Sequence, residues 1–256
     1  MSLQPKIYAD KYRMIMVYPA TWTCESCGFR WASKLKSLDV NVVVSEEEEN
    51  VCPNSTHGDC KGGRGKKTPE QHVIYRDRRC GVTWPGPRNP GYLCVFGQRE
   101  DPSPTVYQQT DMLVEVEEQN TERFFDKISA AMKKLHCTWL LADRSEKFDT
   151  VLYSLSHYMT KRNLAYQVLG MEDTAGFEEA RPVVDDMVKN DQLFIPKGTI
   201  LRGQSGRLTP IDLHTKDRVG PEERFWAVNA MHFCVVSWVA YPWKKPGKQK
   251  PPEFRR

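Results

Sequence analysis

The most constraining feature of this chain is a short apolar run that follows directly on an amphipathic helix. Asn120 or Thr121 can cap a helix in which Phe124, Phe125, Ile128, Met132 and Leu135 recur at three- and four-residue spacing. The pattern ends near His136, and the uncharged run Cys137–Ala142 then finishes at Asp143. A helix feeding a short, fully apolar strand is expected where a crossover returns the chain to a buried parallel strand. The surrounding segments extend the same order. His72–Trp84 and Gly91–Gln98 read as strands joined through the Pro/Gly-rich turn at 85–91. Val106–Glu117 is a third strand, with Met112, Val114 and Val116 on one face and Glu115 and Glu117 on a solvated one. After Asp143 the pattern predicts a helix over Phe148–Thr160 and a strand over Tyr166–Leu169. A helix over Phe177–Asn190 follows, with Val183, Val184, Met187 and Val188 inward and Pro182 forcing a late start or a kink. Leu193–Ile195 is extended, Thr199–Leu213 is a loop or hairpin, and a last helix runs from Pro221, Glu222 and Glu223 to about Ala240. The class is α/β.

Three zones follow: a cysteine-bearing module and basic linker over 1–71, the α/β domain over 72–240, and a basic, Pro-rich tail over 241–256. The formal charge of +4 is local, because the last fourteen residues hold six basic side chains and one Glu. The remainder is therefore close to neutral, and composition alone does not mark a nucleic-acid protein. Asp10, Lys11 and Arg13 interrupt the only candidate leader, so a cytoplasmic setting is expected. Phe225–Trp243 carries no formal charge, but Asn229, His232 and Ser237 within it suit a soluble core helix, and no membrane partner is expected.

Cys24 and Cys27 form a Cys-x-x-Cys followed by Gly28 and an aromatic, which is how one turn presents two thiolates to a tetrahedral zinc ion. Cys52 and Cys60 supply the second pair most simply, with His57 and Cys80 in reserve. Four thiolates would make a closed, structural site. Gly62–Thr68 has the glycines and lysines of a phosphate loop, but it follows Cys60 rather than a strand and its spacing is wrong for a Walker A. It reads instead as a basic flexible linker, either able to touch a phosphate backbone or inert.

Three antiparallel strands, a crossover helix and a parallel strand are the arrangement of the RNase H-like fold. This half of the chain resembles the nuclease domain of the large terminase subunit of tailed bacteriophages. That resemblance implies an acid in the first strand, one ending the strand after the first helix, and one near the final helix, together holding Mg²⁺ or Mn²⁺. Asp77 and Asp143 match the first two positions, although Asp77 lies in the run Arg76–Arg79, which also reads as a solvated cluster pairing the acid with arginines, and Asp143 could equally cap the next helix. Phe225 and Asn229 stand where acids of the final helix are expected, so Glu222, Glu223 or Asp217 would supply the third. Carboxylates of that kind can hold two ions that activate water against a phosphodiester. The resemblance then implies an endonuclease acting in viral DNA packaging, with double-stranded DNA, a packaging ATPase and a portal as partners. The alternative is a non-catalytic nucleic-acid-binding or assembly subunit that keeps the fold and a structural zinc. A third is a zinc-stabilised structural subunit whose last helix and tail dock on partners.

Overall fold

A computed structural model describes residues 6–9, 14–39, 42–45, 51–57, 60–100, 109–137, 139–144, 148–164, 167–171, 175–207 and 222–240. The chain divides into two units, 1–76 and 77–256.

In the first unit, strands β1 (Lys6–Ala9) and β2 (Met14–Tyr18) are antiparallel. Strands β3 (Thr21–Cys24) and β4 (Arg30–Ala32) flank the Cys-x-x-Cys turn, and β5 (Leu35–Asp39) pairs with β6 (Val42–Ser45). A 3₁₀ turn at Pro53–His57 precedes β7 (Gly65–Thr68), which pairs with β3 and makes it the centre of a three-stranded ribbon. The stretch expected to be a flexible linker is thus partly a strand. Its two lysines are exposed but alternate across the faces of a sheet, because β3 offers Gly65–Thr68 a ladder of hydrogen bonds.

Strand β8 (Gln71–Thr83) begins in the first unit, where Gln71–Tyr75 pairs with β2, and ends in the second. The second unit continues with β9 (Gly91–Arg99), β10 (Thr110–Glu118), α1 (Thr121–Leu135), β11 (Trp139–Asp143), α2 (Asp149–Lys161) and β12 (Gln167–Met171). It closes with α3 (Ala175–Lys189), β13 (Leu193–Phe194), α4 (Ile200–Ser205) and α5 (Glu222–Ala240). Its strand order is β12-β11-β8-β9-β10-β13. β9 and β10 are antiparallel, whereas β11 is parallel to both β8 and β12. The short link between β8 and β9 permits only an antiparallel neighbour. Two antiparallel steps and then parallel strands after crossover helices make this the mixed sheet of an RNase H-like fold, as the element order predicts.

Both faces of that sheet are covered. Tyr92, Cys94 and Phe96 of β9 and Leu141 of β11 join a core with Phe225, Ala230, Phe233 and Cys234 of α5. On the other face Gly91 abuts Phe124 of α1, whose stripe Phe124, Phe125, Ile128, Met132 and Leu135 is buried as the periodicity requires. Asn120 caps α1 by accepting a hydrogen bond from the Arg123 N–H at 3.0 Å. Gly81 has no permissible replacement at the α5 contact. A Cβ there would lie 1.8 Å from the Ala230 carbonyl oxygen, so the helix backbone rests directly on the strand.

Three local expectations are corrected. The loop or hairpin expected from Thr199 is, as far as Ser205, a helix, capped by the Thr199 hydroxyl. α3 runs through Pro182, and while Val184 and Met187 are buried, Val183 and Val188 are exposed. Glu115 and Glu117 do not form a solvated face. Glu115 accepts hydrogen bonds from the Tyr92 hydroxyl at 2.6 Å and the Ile200 and Leu201 N–H groups at 2.9 and 3.3 Å, and Glu117 accepts one from Trp226 Nε1 at 3.0 Å. No described helix is long and apolar enough to cross a membrane.

Candidate functional site

Two places bring candidate residues together, beginning with the ribbon. β3 delivers Cys24, the turn delivers Cys27, the residue just before the 3₁₀ segment is Cys52, and the loop before β7 delivers Cys60. Their four sulfurs lie within 4.8 Å of one another, with Cys24 3.6 Å from Cys60 and Cys27 3.7 Å from Cys52. A tetrahedral ion with metal–sulfur bonds of about 2.3 Å needs sulfur–sulfur edges of about 3.8 Å, so these side chains fit one metal ion. The separations are far too long for disulfides, and all four cysteines are free. Backbone packing tightens the cage: a Cβ on Gly63 would fall 2.2 Å from Ser26 Oγ and 2.9 Å from Cys24 Sγ. The second loop therefore closes over the first only because residue 63 has no side chain. Trp22 and Trp31 stack at 6.3 Å with an interplanar angle of 9° and are buried beside the cysteines.

The thiols are electrostatically unequal. The Cys27 N–H bonds the Cys24 sulfur and holds its pKa down to about 6. Burial, reinforced by the neighbouring thiols, pushes Cys52 up to about 12, and Cys27 is also raised. One ready thiolate beside thiols that resist ionisation is the pattern of a cluster whose last protons leave only when a cation arrives. Among the described residues this is the one group of three or more side chains placed to share an ion.

The second place is the edge of the main sheet at which β8, β10 and β11 end and α5 begins. Asp143 is the last residue of β11, and its side chain lies outside the described set. Leu140, Leu141 and Ala142 pair with Cys80, Gly81 and Val82, so the next step places Thr83 beside Asp143. The Thr83 hydroxyl donates to the Trp226 carbonyl at 3.3 Å, which fixes the start of α5 at this same edge. Phe225 breaks the helix there with φ −131° and ψ 37°, and Gln204 Oε1 accepts the Ala227 N–H at 2.9 Å. Glu222 and Glu223 open the helix, with side chains outside the described set, and Asp217 lies outside the described residues.

Asp77 does not reach this edge. Six residues along β8 separate it from Thr83, about 20 Å of extended chain. Its surroundings agree: the neighbouring Arg78 donates to the carbonyls of Leu135 and His136 at the far end of α1. Asp77 itself is buried against Arg79, with Nε–Oδ1 at 2.9 Å and Nη2–Oδ2 at 3.0 Å. Arg79 also donates to the Ser237 carbonyl at 3.1 Å and covers the Trp139 ring at 4.7 Å. The expected joining of Asp77 and Asp143 around shared ions is therefore not realised. The sheet register sets Asp77 in the middle of β8, six residues from the position beside Asp143, and the first carboxylate is committed to an ion pair. Sequence reasoning missed Thr83, although the two-residue alternation of β8 put it on the same face as Asp77.

No protein-family model matches the sequence, and no curated protein matches it. Among solved structures, the manganese-bound nuclease domain of the large terminase g2p from bacteriophage SPP1 is similar in part. The match has a TM-score of 0.40 at 11% identity and covers 62% of this chain and 85% of that one.

Proposed function

We propose that this chain is a non-catalytic nucleic-acid-binding subunit, built on an RNase H-like sheet and carrying a structural zinc held by Cys24, Cys27, Cys52 and Cys60. One observation carries the reading. The β8–β11 register, continued by one step, puts Thr83 beside Asp143, while the acid expected there, Asp77, lies six residues back along β8 and is paired with Arg79. A two-ion phosphodiester site needs carboxylates that converge, and Asp77 does not converge with Asp143. Zinc is the ion that suits a closed four-sulfur cage, and it would fix the ribbon while taking no part in chemistry.

A second reading is kept for one reason. Asp143 ends a parallel strand in an open sheet, where ligands of α/β proteins gather, and α5 starts at that same edge. On this reading the chain is a metal-dependent DNA endonuclease of terminase type acting in viral DNA packaging. Asp143 with Glu222, Glu223 or Asp217 would hold Mg²⁺ or Mn²⁺, and double-stranded DNA, a packaging ATPase and a portal would be its partners. Incubating supercoiled plasmid with the full, zinc-loaded chain in Mg²⁺ or Mn²⁺ at low salt separates the two. The first reading expects no cleavage above an EDTA control; nicking that requires the metal and disappears in Asp143→Ala would replace it with the second.

A further inference from the structure

The ribbon has a second face that metal binding does not use. Thr23, on the central strand, pairs with Arg30 on one side and with Lys66 on the other, so these three side chains stand in a row across one face. Two residues along, Thr21 pairs with Ala32 and Thr68. Alternation sends Trp22, Trp31, Lys67 and Cys24 to the opposite face. Lys67 there lies over the Trp22 ring at 5.4 Å and serves the aromatic packing. Arg30, Lys66 and Thr68 are exposed, and Thr21 and Thr23 are half-buried. Among the described residues, neither Arg30 nor Lys66 makes an ion pair.

The charge of the two segments that build the cysteine cage is one-sided, whereas the stretch 35–51 between them carries the acid run Glu46–Glu49. Residues 20–34 and 52–68 contain six Lys and Arg, against Glu25 and Asp59. Four thiolates around a divalent ion carry a net −2, which accounts for part of that excess. It does not account for Arg30 and Lys66, which point away from the sulfurs. We propose that the Arg30–Thr23–Lys66 row, with the hydroxyls of Thr21 and Thr68 beside it, binds the phosphodiester backbone of a nucleic acid. This inference rests on the nucleic-acid-binding reading above and names its surface. Arg, Lys and Thr are the side chains that contact phosphate oxygens, and Arg30 and Lys66 stand about two strand spacings, or about 10 Å, apart. The row holds no ring on which a base could stack and no amide to read a base edge, so the binding is sequence-independent and salt-sensitive.

The test uses the full zinc-loaded chain and fluorescence anisotropy with a labelled 25-base-pair duplex and one of its single strands, between 50 and 200 mM salt. Loss of two phosphate contacts should make the slope of log affinity against log salt shallower by about 2 on the duplex and somewhat less on the single strand. The Arg30→Glu/Lys66→Glu variant should therefore bind at least about tenfold more weakly at 50 mM, with its zinc retained. Lys133→Glu/Lys134→Glu, an equal charge change on the exposed end of α1, should stay within about twofold of the parent. If the ribbon variant loses zinc, Arg30→Gln/Lys66→Gln should give the same shallower slope. Unchanged affinity and slope in a zinc-bound ribbon variant, or an equal loss in the α1 variant, would overturn the surface while leaving nucleic-acid binding intact. A parent chain that captures poly-glutamate but neither nucleic acid would overturn the reading beneath it as well. Comparing the duplex with the single strand tells which form the row prefers.

Discussion

Asp77→Asn separates a structural carboxylate from a catalytic one. The side chain is 5% exposed and Arg79 2%, and the two share paired contacts of 2.9 and 3.0 Å. The substitution nearly preserves shape and removes the negative charge, leaving a buried guanidinium without its carboxylate. Breaking a buried pair from one side costs about 3–5 kcal/mol, because the surviving charge keeps its desolvation penalty. For a unit of this size each kcal/mol lowers the melting temperature by roughly 2–4 °C, so the shift should be about 6–20 °C. Guanidinium unfolding followed by circular dichroism should show the same loss at unchanged slope. Replacing both partners, Asp77→Leu with Arg79→Met, should recover most of it, since the pair offsets its own burial cost rather than adding a large net gain. An acid that gathers metal ions behaves differently: its like-charged neighbours repel it when no ion is bound, so its removal leaves stability unchanged or raised. A change below about 1 kcal/mol in Asp77→Asn would refute the assignment of this carboxylate to the ion pair.

Gly81→Ala should destabilise the second unit by about 3 kcal/mol or more, because relieving a 1.8 Å approach to the Ala230 carbonyl requires moving the α5 backbone off the sheet; chemical unfolding reads it directly. Removing zinc with a chelator, or changing Cys24→Ser, should abolish one bound ion per chain and expose Trp22 and Trp31, seen as a red shift of tryptophan emission while most helical signal persists. Zinc uptake near pH 7.5 should release roughly two or more protons, since Cys27 and Cys52 are held above their ordinary range while Cys24 at about 6 is already ionised; calorimetry in buffers of different ionisation enthalpy counts them. His232 is fully buried; its Nδ1 donates to the Val228 carbonyl at 2.8 Å, and Arg181 and Asp185 are the charged groups that act on it. Burial lowers its pKa from 6.5 to about 4, so the unfolded chain binds the extra proton between those values. Its contribution is full above pH 6.5 and falls by about 3 kcal/mol as the pH drops to about 4, and His232→Gln should flatten that limb of the stability profile.

Periodicity carried much of the element order. The stripe of α1, the apolar run of β11 and the ending of both at turn-forming residues are local signals, and each element forms where its pattern lies. What failed to be legible depends on partners distant in sequence. Gly65–Thr68 has a linker's composition and becomes a strand because Thr21–Cys24 is there to pair with it. α4 is too short to announce itself and is held by the Glu115 carboxylate, 85 residues before Ile200. The run Arg76–Arg79 reads as a solvated charge cluster, yet Asp77, Arg78 and Arg79 are buried because each charge is answered by a carboxylate, a carbonyl or a ring.

The acidic site turns on the same distinction. An acid in the first strand and an acid at the end of the fourth satisfy a pattern of order, but shared metal ions require adjacency, and adjacency in a parallel pair is set by register. A second set of contacts fixes the position of β8 against α5. α5 touches Thr83 through Trp226 and Arg79 through Ser237, eleven helical residues and about 16 Å apart. Four strand residues span about 13 Å, so helix and strand agree on which end of β8 meets the start of α5. Asp77 lies beyond Arg79, past the Ser237 end. Sliding β8 by two residues could not bring it to Asp143, and sliding it by six would unseat Gly81 from Ala230 and the Arg79 guanidinium from its buried partners together. The chain can therefore keep the strand order of an RNase H-like sheet while Thr83 takes the place next to Asp143.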